Sequence, residues 1–281
     1  MFYLLNIFIQ MKILLNNTSL FESLRPFNDL GFVPTMGGIH KGHLSLINKS
    51  NKLCKKTIVS IFVNPKQFNN KKDLRSYPRN MKKDLKILKK SKKVDFVYLP
   101  KFKDIYKDKK KSKITLQKKD KILCAKFRKG HFEGVLEVMN RLLTIVKPKK
   151  LFLGEKDFQQ QFLIKKYLQK KHKFELHVCK TIRDDKLALS SRNYNLSKAS
   201  LTKAKIIAKE LFKIKKKFSD VKFRKLNSIN KIKEYFEKKY IIKIDYLDFR
   251  NSADLKKADF KKNFKLFVAY YLNNVRLIDN F

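Results

Sequence analysis

The chain has no tryptophan, and its 281 residues include only seven glycines, six prolines and three cysteines, with 24 acidic residues against 69 basic ones. Each shortage excludes something. Cys54, Cys124 and Cys179 lie far apart, with no C-x-x-C and no histidine pair at metal-ligand spacing. That argues against a disulfide framework or a structural zinc and for a reducing compartment. The N-terminal "MFYLLNIFIQMKILL" is apolar but interrupted by Asn6, Gln10 and Lys12. It is too short for a bilayer span and lacks the basic start and small-residue cleavage site of a leader. Residues 1–10 read as an extension ahead of a strand-like "MKILL" at Met11, and the protein reads as soluble and cytoplasmic.

Hydrophobic residues make up 43% of the chain, enough for a packed core despite 33% charged residues. The formal net charge of +45 raises the question of a polyanion partner. The cations are mostly lysine, spread from end to end among Ile, Asn, Phe and Tyr. That is a compositional drift, whereas a nucleic-acid module clusters Arg, Gly and aromatics on one face. A non-enzymatic nucleic-acid binder is therefore carried as the rival suggested by charge alone.

Short apolar runs alternate with helical periods through the first 180 or so residues. Strands are predicted at 11–15, 32–34, 57–64, 94–100, 151–154 and 175–179, and helices at 43–54, 80–90, 132–146 and 157–170. Ser19 and Glu22 have capping-box spacing and are expected to open a first helix. Continuous apolar strands separated by amphipathic helices predict an α/β protein, a Rossmann-like, mainly parallel sheet covered on both faces. Every glycine and proline falls before residue 155. Beyond Arg183 come Lys-rich helices at 198–217 and 227–239 and strands at 244–249 and 266–272, read as a smaller α/β unit. The expected division is 11–183 and 184–281.

Four strand-end blocks carry the chemistry. "PTMGGIHKGH" (34–43) holds three of the seven glycines and two of the five histidines. It sits between a strand and a helix, where open α/β sheets bind ligands. Glycine there lets backbone N–H groups approach a phosphate, and His40 and His43 can donate hydrogen bonds to it. Taken alone, the block also fits a glycine turn with two surface histidines. "SIFVNPKQF" (60–68) ends a strand on Asn64 and Gln67, suited to a small polar substrate or simply to a capped strand end. "LFLGEKDFQQQF" (151–162) offers Lys156 as a phosphate clamp, with Asp157 and Gln160 beside it. "LALSSRN" (187–193) sets two hydroxyls and a guanidinium together, a phosphate-binding set or a polar interdomain loop. No nucleophile–base pair and no Walker A pattern is present. Held together, the blocks suit nucleotidyl transfer by positioning and charge stabilisation.

In this order the blocks, with "DLRSYPR" (73–79), "GHFEGV" (130–135) and "VRLIDN" (275–280), resemble the pantoate–β-alanine ligase family from Met11 onward. The resemblance implies a two-step reaction: ATP and pantoate give a pantoyl adenylate and diphosphate, then β-alanine displaces AMP to form pantothenate. It implies Mg²⁺ and a homodimer. Met36, Gly37, Gly38, Ile39, His40, Lys41, Gly42 and His43 are expected on the ATP phosphates, with His43 as proton donor. Gly154, Glu155, Lys156 and Asp157 are expected at the ribose and phosphates, and Ile182 at the adenine. Leu189, Ser190, Ser191 and Arg192 are expected to close over the triphosphate. Gln67 and Gln160 are expected to hold pantoate, with Gln67 and Asn64 near β-alanine. Asp84 is a candidate for outer contacts to Mg²⁺. A nucleotidyltransferase with the same H-x-G-H site and another acceptor is the second rival. One departure stands out: "RDDKLALSSR" (183–192) is a residue shorter than the family pattern R-x-x-D-G-L-A, with Lys186 in place of the glycine. Lys186→Gly is expected to leave activity intact or raise it.

Overall fold

The computed structural model describes residues 11–107, 114–260 and 263–281, so the expected extension at 1–10 lies outside the described residues. In chain order the first elements are β1 (Lys12–Leu14), α1 (Asn17–Leu24), β2 (Leu30–Thr35), α2 (Lys41–Leu53) and β3 (Lys56–Ile61). There follow α3 (Lys71–Ser76), α4 (Met81–Ser91), β4 (Phe96–Tyr98), α5 (Phe102–Ile105), α6 (Cys124–Phe127) and α7 (His131–Val146). Next come β5 (Lys150–Gly154), α8 (Phe158–His172) and β6 (Glu175–Cys179). These six strands form one parallel sheet in the order β1-β4-β3-β2-β5-β6.

The continuous apolar runs are explained by burial on both faces, with side chains alternating across the sheet. Phe32, Ile58 and Leu151 join the core under α1, α7 and α8. Their neighbours Val33, Val59 and Phe152 join the opposite core with Ile47 and Leu88 of α2 and α4. The α/β Rossmann-like expectation is met. The first helix is capped differently from the expected Ser19–Glu22 box: Asn16 accepts from the Ser19 N–H at 2.9 Å, so Ser19 lies inside α1. Asn at the cap position outcompetes a box begun three residues later.

The second unit begins with a hairpin, β7 (Arg183–Asp184) and β8 (Leu187–Ala188), followed by α9 (Lys198–Lys217), α10 (Val221–Leu226) and α11 (Ile229–Tyr240). An antiparallel sheet, β9 (Lys243–Asn251), β10 (Phe264–Leu272) and β11 (Val275–Asn280), completes it in the order β11-β10-β9. Ala204, Ile207 and Leu211 of α9 and Phe236 of α11 pack on Leu266, Val268 and Tyr270 of β10. The two units meet where Phe158 and Phe267 stack edge-to-face at 5.4 Å between centroids. Arg183 then grips Asp279 with both Nη groups, at 2.7 and 2.9 Å.

Asp185 and Lys186 form the two-residue turn between β7 and β8, with φ of 49° and 72°. Two positive values in a two-residue hairpin describe a type I′ turn, which favours Asn-Gly. Lys186 thus holds a left-handed conformation at a cost of about 1 kcal/mol relative to glycine. Its ammonium over the Phe212 ring, 4.6 Å from the centroid, returns part of that. Lys186→Gly is expected to raise the thermal midpoint by about 1 °C, whereas Lys186→Ala, which keeps the strain and loses the ring contact, lowers it. A scan of both variants beside the wild type checks the ordering.

Candidate active site

Three adjacent strands, β3, β2 and β5, deliver three of the four sequence blocks to one edge, and the fourth follows β8. Beyond their carboxyl ends lies a cavity of about 260 Å³. The loop after β2 turns through Gly37 and Gly38, at φ of 81° and 63°, which L side chains rarely adopt. Asp84 of α4 fixes it: Oδ2 accepts from the Gly38 N–H at 2.9 Å and Oδ1 from the Ile39 N–H at 2.8 Å. The chain then enters α2 with His40 as the N-cap.

That cap sets the chemistry of both histidines. His40 Nδ1 accepts from the Gly42 N–H at 3.0 Å, and His43 Nδ1 accepts from the His40 N–H at 3.3 Å. The remaining ring proton of each neutral imidazole is therefore on Nε2, which has no partner among the described residues. Burial, then the neighbouring Lys156 ammonium, pulls the His40 pKa down to about 4. Burial, His40 and Lys156 hold His43 well below the ordinary imidazole range. The rings lie 4.1 Å apart. Near neutral pH the loop presents two uncharged N–H donors side by side.

Across the cavity, Lys156 Nζ lies 3.3 Å from Asp157 Oδ1. Ser191 Oγ donates to Gly38 O at 3.0 Å, pinning the Ser-Ser-Arg loop to the glycine turn. Ser190 Oγ accepts from the Arg192 N–H at 3.3 Å, which leaves its own proton for a ligand. Gln67 points Nε2 at Met36 Sδ, 2.8 Å away, while its Oε1 accepts from Asn64 Nδ2 at 3.3 Å. Met36, His40, Gly42, His43, Gln67, Gly154, Lys156, Asp157, Gln160, Ile182, Leu189, Ser190, Ser191 and Arg192 all line this one cavity.

Other predicted residues stand behind the lining. Gly37, Gly38 and Ile39 form the turn, and Lys41 faces solvent. Glu155 pairs with Lys265 at 2.9 Å. Asn64 is 1% exposed and bonds Gly134 O and Gln67 as well as accepting from Tyr106 Oη, so it positions Gln67. The 2.3 Å that a Cβ on Gly134 would leave to Lys66 O explains why glycine faces this turn. Asp84 does not line the cavity, because both its carboxylate oxygens serve the Gly38 and Ile39 N–H groups.

Sequence reasoning gave no role to Asp73, Tyr77, Arg128, His131 or Arg276, which also line the cavity. Each lies in or beside a quoted block, the available signal. Arg128 Nη1 donates to His131 Nε2 at 2.8 Å, and His131 Nδ1 then donates to Gln67 O at 2.7 Å. Burial, then the Arg192 charge, pulls Arg128 down to about 10. Burial and Arg128 push His131 well below its usual range. Arg276 is held by Asp245 at 2.8 Å. The lining carries more cations than carboxylates, with donors converging from the glycine turn, the Arg128–His131 pair, Lys156, the Ser-Ser-Arg loop and Arg276, an arrangement that stabilises negative charge developing on a phosphate.

Four histidines, His40, His43, His131 and His172, have lowered pKa values, and these fix a sign. The unfolded chain binds their protons near pH 6.5 and the folded chain only at lower pH, so their contribution is complete above about 6.5 and lost as pH falls toward about 4. The urea midpoint is expected to fall across that interval, and less steeply in His131→Gln, as read from denaturation curves at pH 7.5, 6 and 5.

The profile of the Pantoate-beta-alanine ligase family matches residues 12–281. A pantothenate synthetase of Flavobacterium psychrophilum is 37% identical over 92% of this chain and 94% of its own. One from Sulfurihydrogenibium is 40% identical over 89% and 91%. The crystal structure of a Francisella tularensis pantoate–β-alanine ligase, complexed with β,γ-ATP and β-alanine, superposes with a TM-score of 0.81 at 36% identity, covering 96% of this chain and 97% of the other. A pantothenate synthetase of Thermus thermophilus superposes at 0.86 with 29% identity, over 96% and 99%. By family profile, by relatives along nearly the whole chain and by fold, this chain belongs to the pantoate–β-alanine ligase family.

Proposed function

We propose that the cavity joins pantoate to β-alanine through a pantoyl adenylate, with each block in the role its position suggests. The observation that carries this is the pair of neutral imidazoles whose Nε2–H groups share one cavity with Lys156, Ser190 and Arg192. In the first step a pantoate carboxylate oxygen bonds to the α-phosphorus of ATP and the bond to the bridging oxygen of diphosphate breaks. Charge develops on the leaving oxygens, where His40, His43 and Lys156 donate without prior proton loss. In the second step the β-alanine amine attacks the acyl carbon, AMP leaves and the amine proton passes to solvent. Gln67, steadied by Asn64 and His131, and Gln160 are assigned to pantoate, Ile182 to the nucleoside end and Leu189–Arg192 to the triphosphate. The second unit, joined to the cavity rim through Leu189–Arg192, is assigned the exclusion of water from the adenylate.

The Mg²⁺ expected from the resemblance finds no cage. Among the described residues no group of three His, Cys, Asp or Glu side chains could hold a metal ion, and Asp84 is committed to backbone N–H groups. Such an ion fits this chain only as a passenger on the nucleotide phosphates, and no step above is routed through it. No helix among the described residues is long and apolar enough to cross a membrane.

Exchange of labelled diphosphate into ATP, with pantoate and without β-alanine, tests the first step. Pantoate-dependent exchange is expected. Its absence from folded, ATP-binding protein would reject pantoate as the acceptor. His43→Ala is expected to lower the exchange rate about 10²- to 10³-fold with the fold retained; wild-type exchange in that variant would remove His43 from the mechanism.

A further inference from the structure

The side chain assigned to the triphosphate is already engaged. Arg192 meets Asp73 through two bonds, Nε to Oδ1 at 3.2 Å and Nη2 to Oδ2 at 2.9 Å. Arg128 Nη2 comes within 3.9 Å of the same Oδ2. A carboxylate gripped in this way presents two oxygens to the guanidinium fork, as a phosphate does. The other cavity carboxylates have partners of their own: Asp157 pairs with Lys156 and Asp279 with Arg183. Among the described residues Asp73 alone therefore serves two arginines of the cavity.

The two sides of this pair are anchored differently. Arg192 and Arg128 are 22% and 14% exposed, and the loop of Arg192 is pinned through Ser191 to the glycine turn. Asp73 is 31% exposed and sits on α3, which has no buried residue. A further tie between this segment and the loop is Asn195 Nδ2 donating to Ser76 O at 3.0 Å. The carboxylate can leave more readily than the arginines.

We propose that Asp73 is a stand-in for the nucleotide phosphates: it holds Arg192 and Arg128 in the resting enzyme and yields them when ATP enters. The proposal rests on the nucleotide reading of the cavity given above. A tethered carboxylate competes well against a singly charged anion, because its attachment gives it a high local concentration. It loses to a triphosphate, which brings several charges to the same cations. Asp73 therefore lowers affinity for ATP and, more strongly, for small anions, so it is a positioning and selectivity residue with no place in the bond-making steps.

Calorimetric titration with α,β-methylene-ATP and with inorganic phosphate tests this on the full chain. Asp73→Asn keeps the size and removes the charge. It is expected to bind the ATP analogue about three- to tenfold more tightly than wild type and to gain affinity for phosphate, while Asp73→Glu binds as wild type does. Unchanged or weaker binding of the analogue by Asp73→Asn would overturn the proposal, since a residue that merely orients Arg192 loses affinity when neutralised. Should Asp73→Asn not fold, Asp73→Ser is read by the same criterion. No binding of the analogue to folded wild type would overturn the nucleotide reading itself and the proposal with it, an outcome distinct from weaker binding in the variant alone.

Discussion

The carboxylate of Asp84 is the contact on which the site depends. Two glycines in left-handed conformations leave a turn with little preference of its own, and the N–H groups of Gly38 and Ile39 need acceptors in a buried place. Asp84, 3% exposed, supplies both from a helix outside the β2–α2 segment. Charge-assisted bonds of this kind are among the stronger ones available to a buried backbone. Because the turn is fixed, His40 arrives as a helix cap with its ring folded back on Gly42 N. His43 then takes the His40 N–H, and Ser191 finds the Gly37 and Gly38 carbonyls. A single acidic side chain thus sets the orientation of two imidazoles and the docking of a loop from the second unit.

A second principle runs through the cavity: each imidazole is used in its uncharged form and locked into one tautomer by a neighbour. For His40 and His43 the neighbour is a backbone N–H. For His131 it is Arg128, whose donated hydrogen bond places the ring proton on Nδ1, toward Gln67 O. The positive charge is left to Arg128, Arg192, Arg276 and Lys156. This division lets a cavity lined by several cations hold histidines without adding their charge to it.

Much of this was legible in the sequence, for physical reasons that differ by element. Phe32–Val33, Ile58–Val59 and Leu151–Phe152 announce strands buried on both faces, and the structure places them so. The H-x-G-H, Lys156 and Ser-Ser-Arg blocks were visible because local glycine and polar patterns mark strand ends. The structure brings them to one cavity because β2 and β5 are neighbours and the loop after β8 docks on the glycine turn through Ser191, adjacencies that no local pattern contains. The hairpin at 183–188 escaped because its turn residues are Asp185 and Lys186, without the glycine that announces such turns. Asn16 escaped as a cap because Ser19 and Glu22 offered a rival pattern. The work of Asp84, Arg128 and Asp73 is invisible in one dimension, since their partners lie 45, 3 and 119 positions away and the nearest of these is meaningful only once Gln67 is known to sit beyond it.

Asn280 carries a consequence for the order in which the protein is made. Its side-chain amide donates to the carbonyls of Glu155 and Lys156, at 3.0 and 2.9 Å, across 125 and 124 positions. The loop bearing the cavity-lining Lys156 is thus braced by a residue that a ribosome adds long after the parallel sheet has emerged. A nascent chain can bury the cores on both sides of that sheet and still lack the brace. The cavity reaches the arrangement it has in the folded protein only when translation has delivered β11 and the second sheet has closed around it.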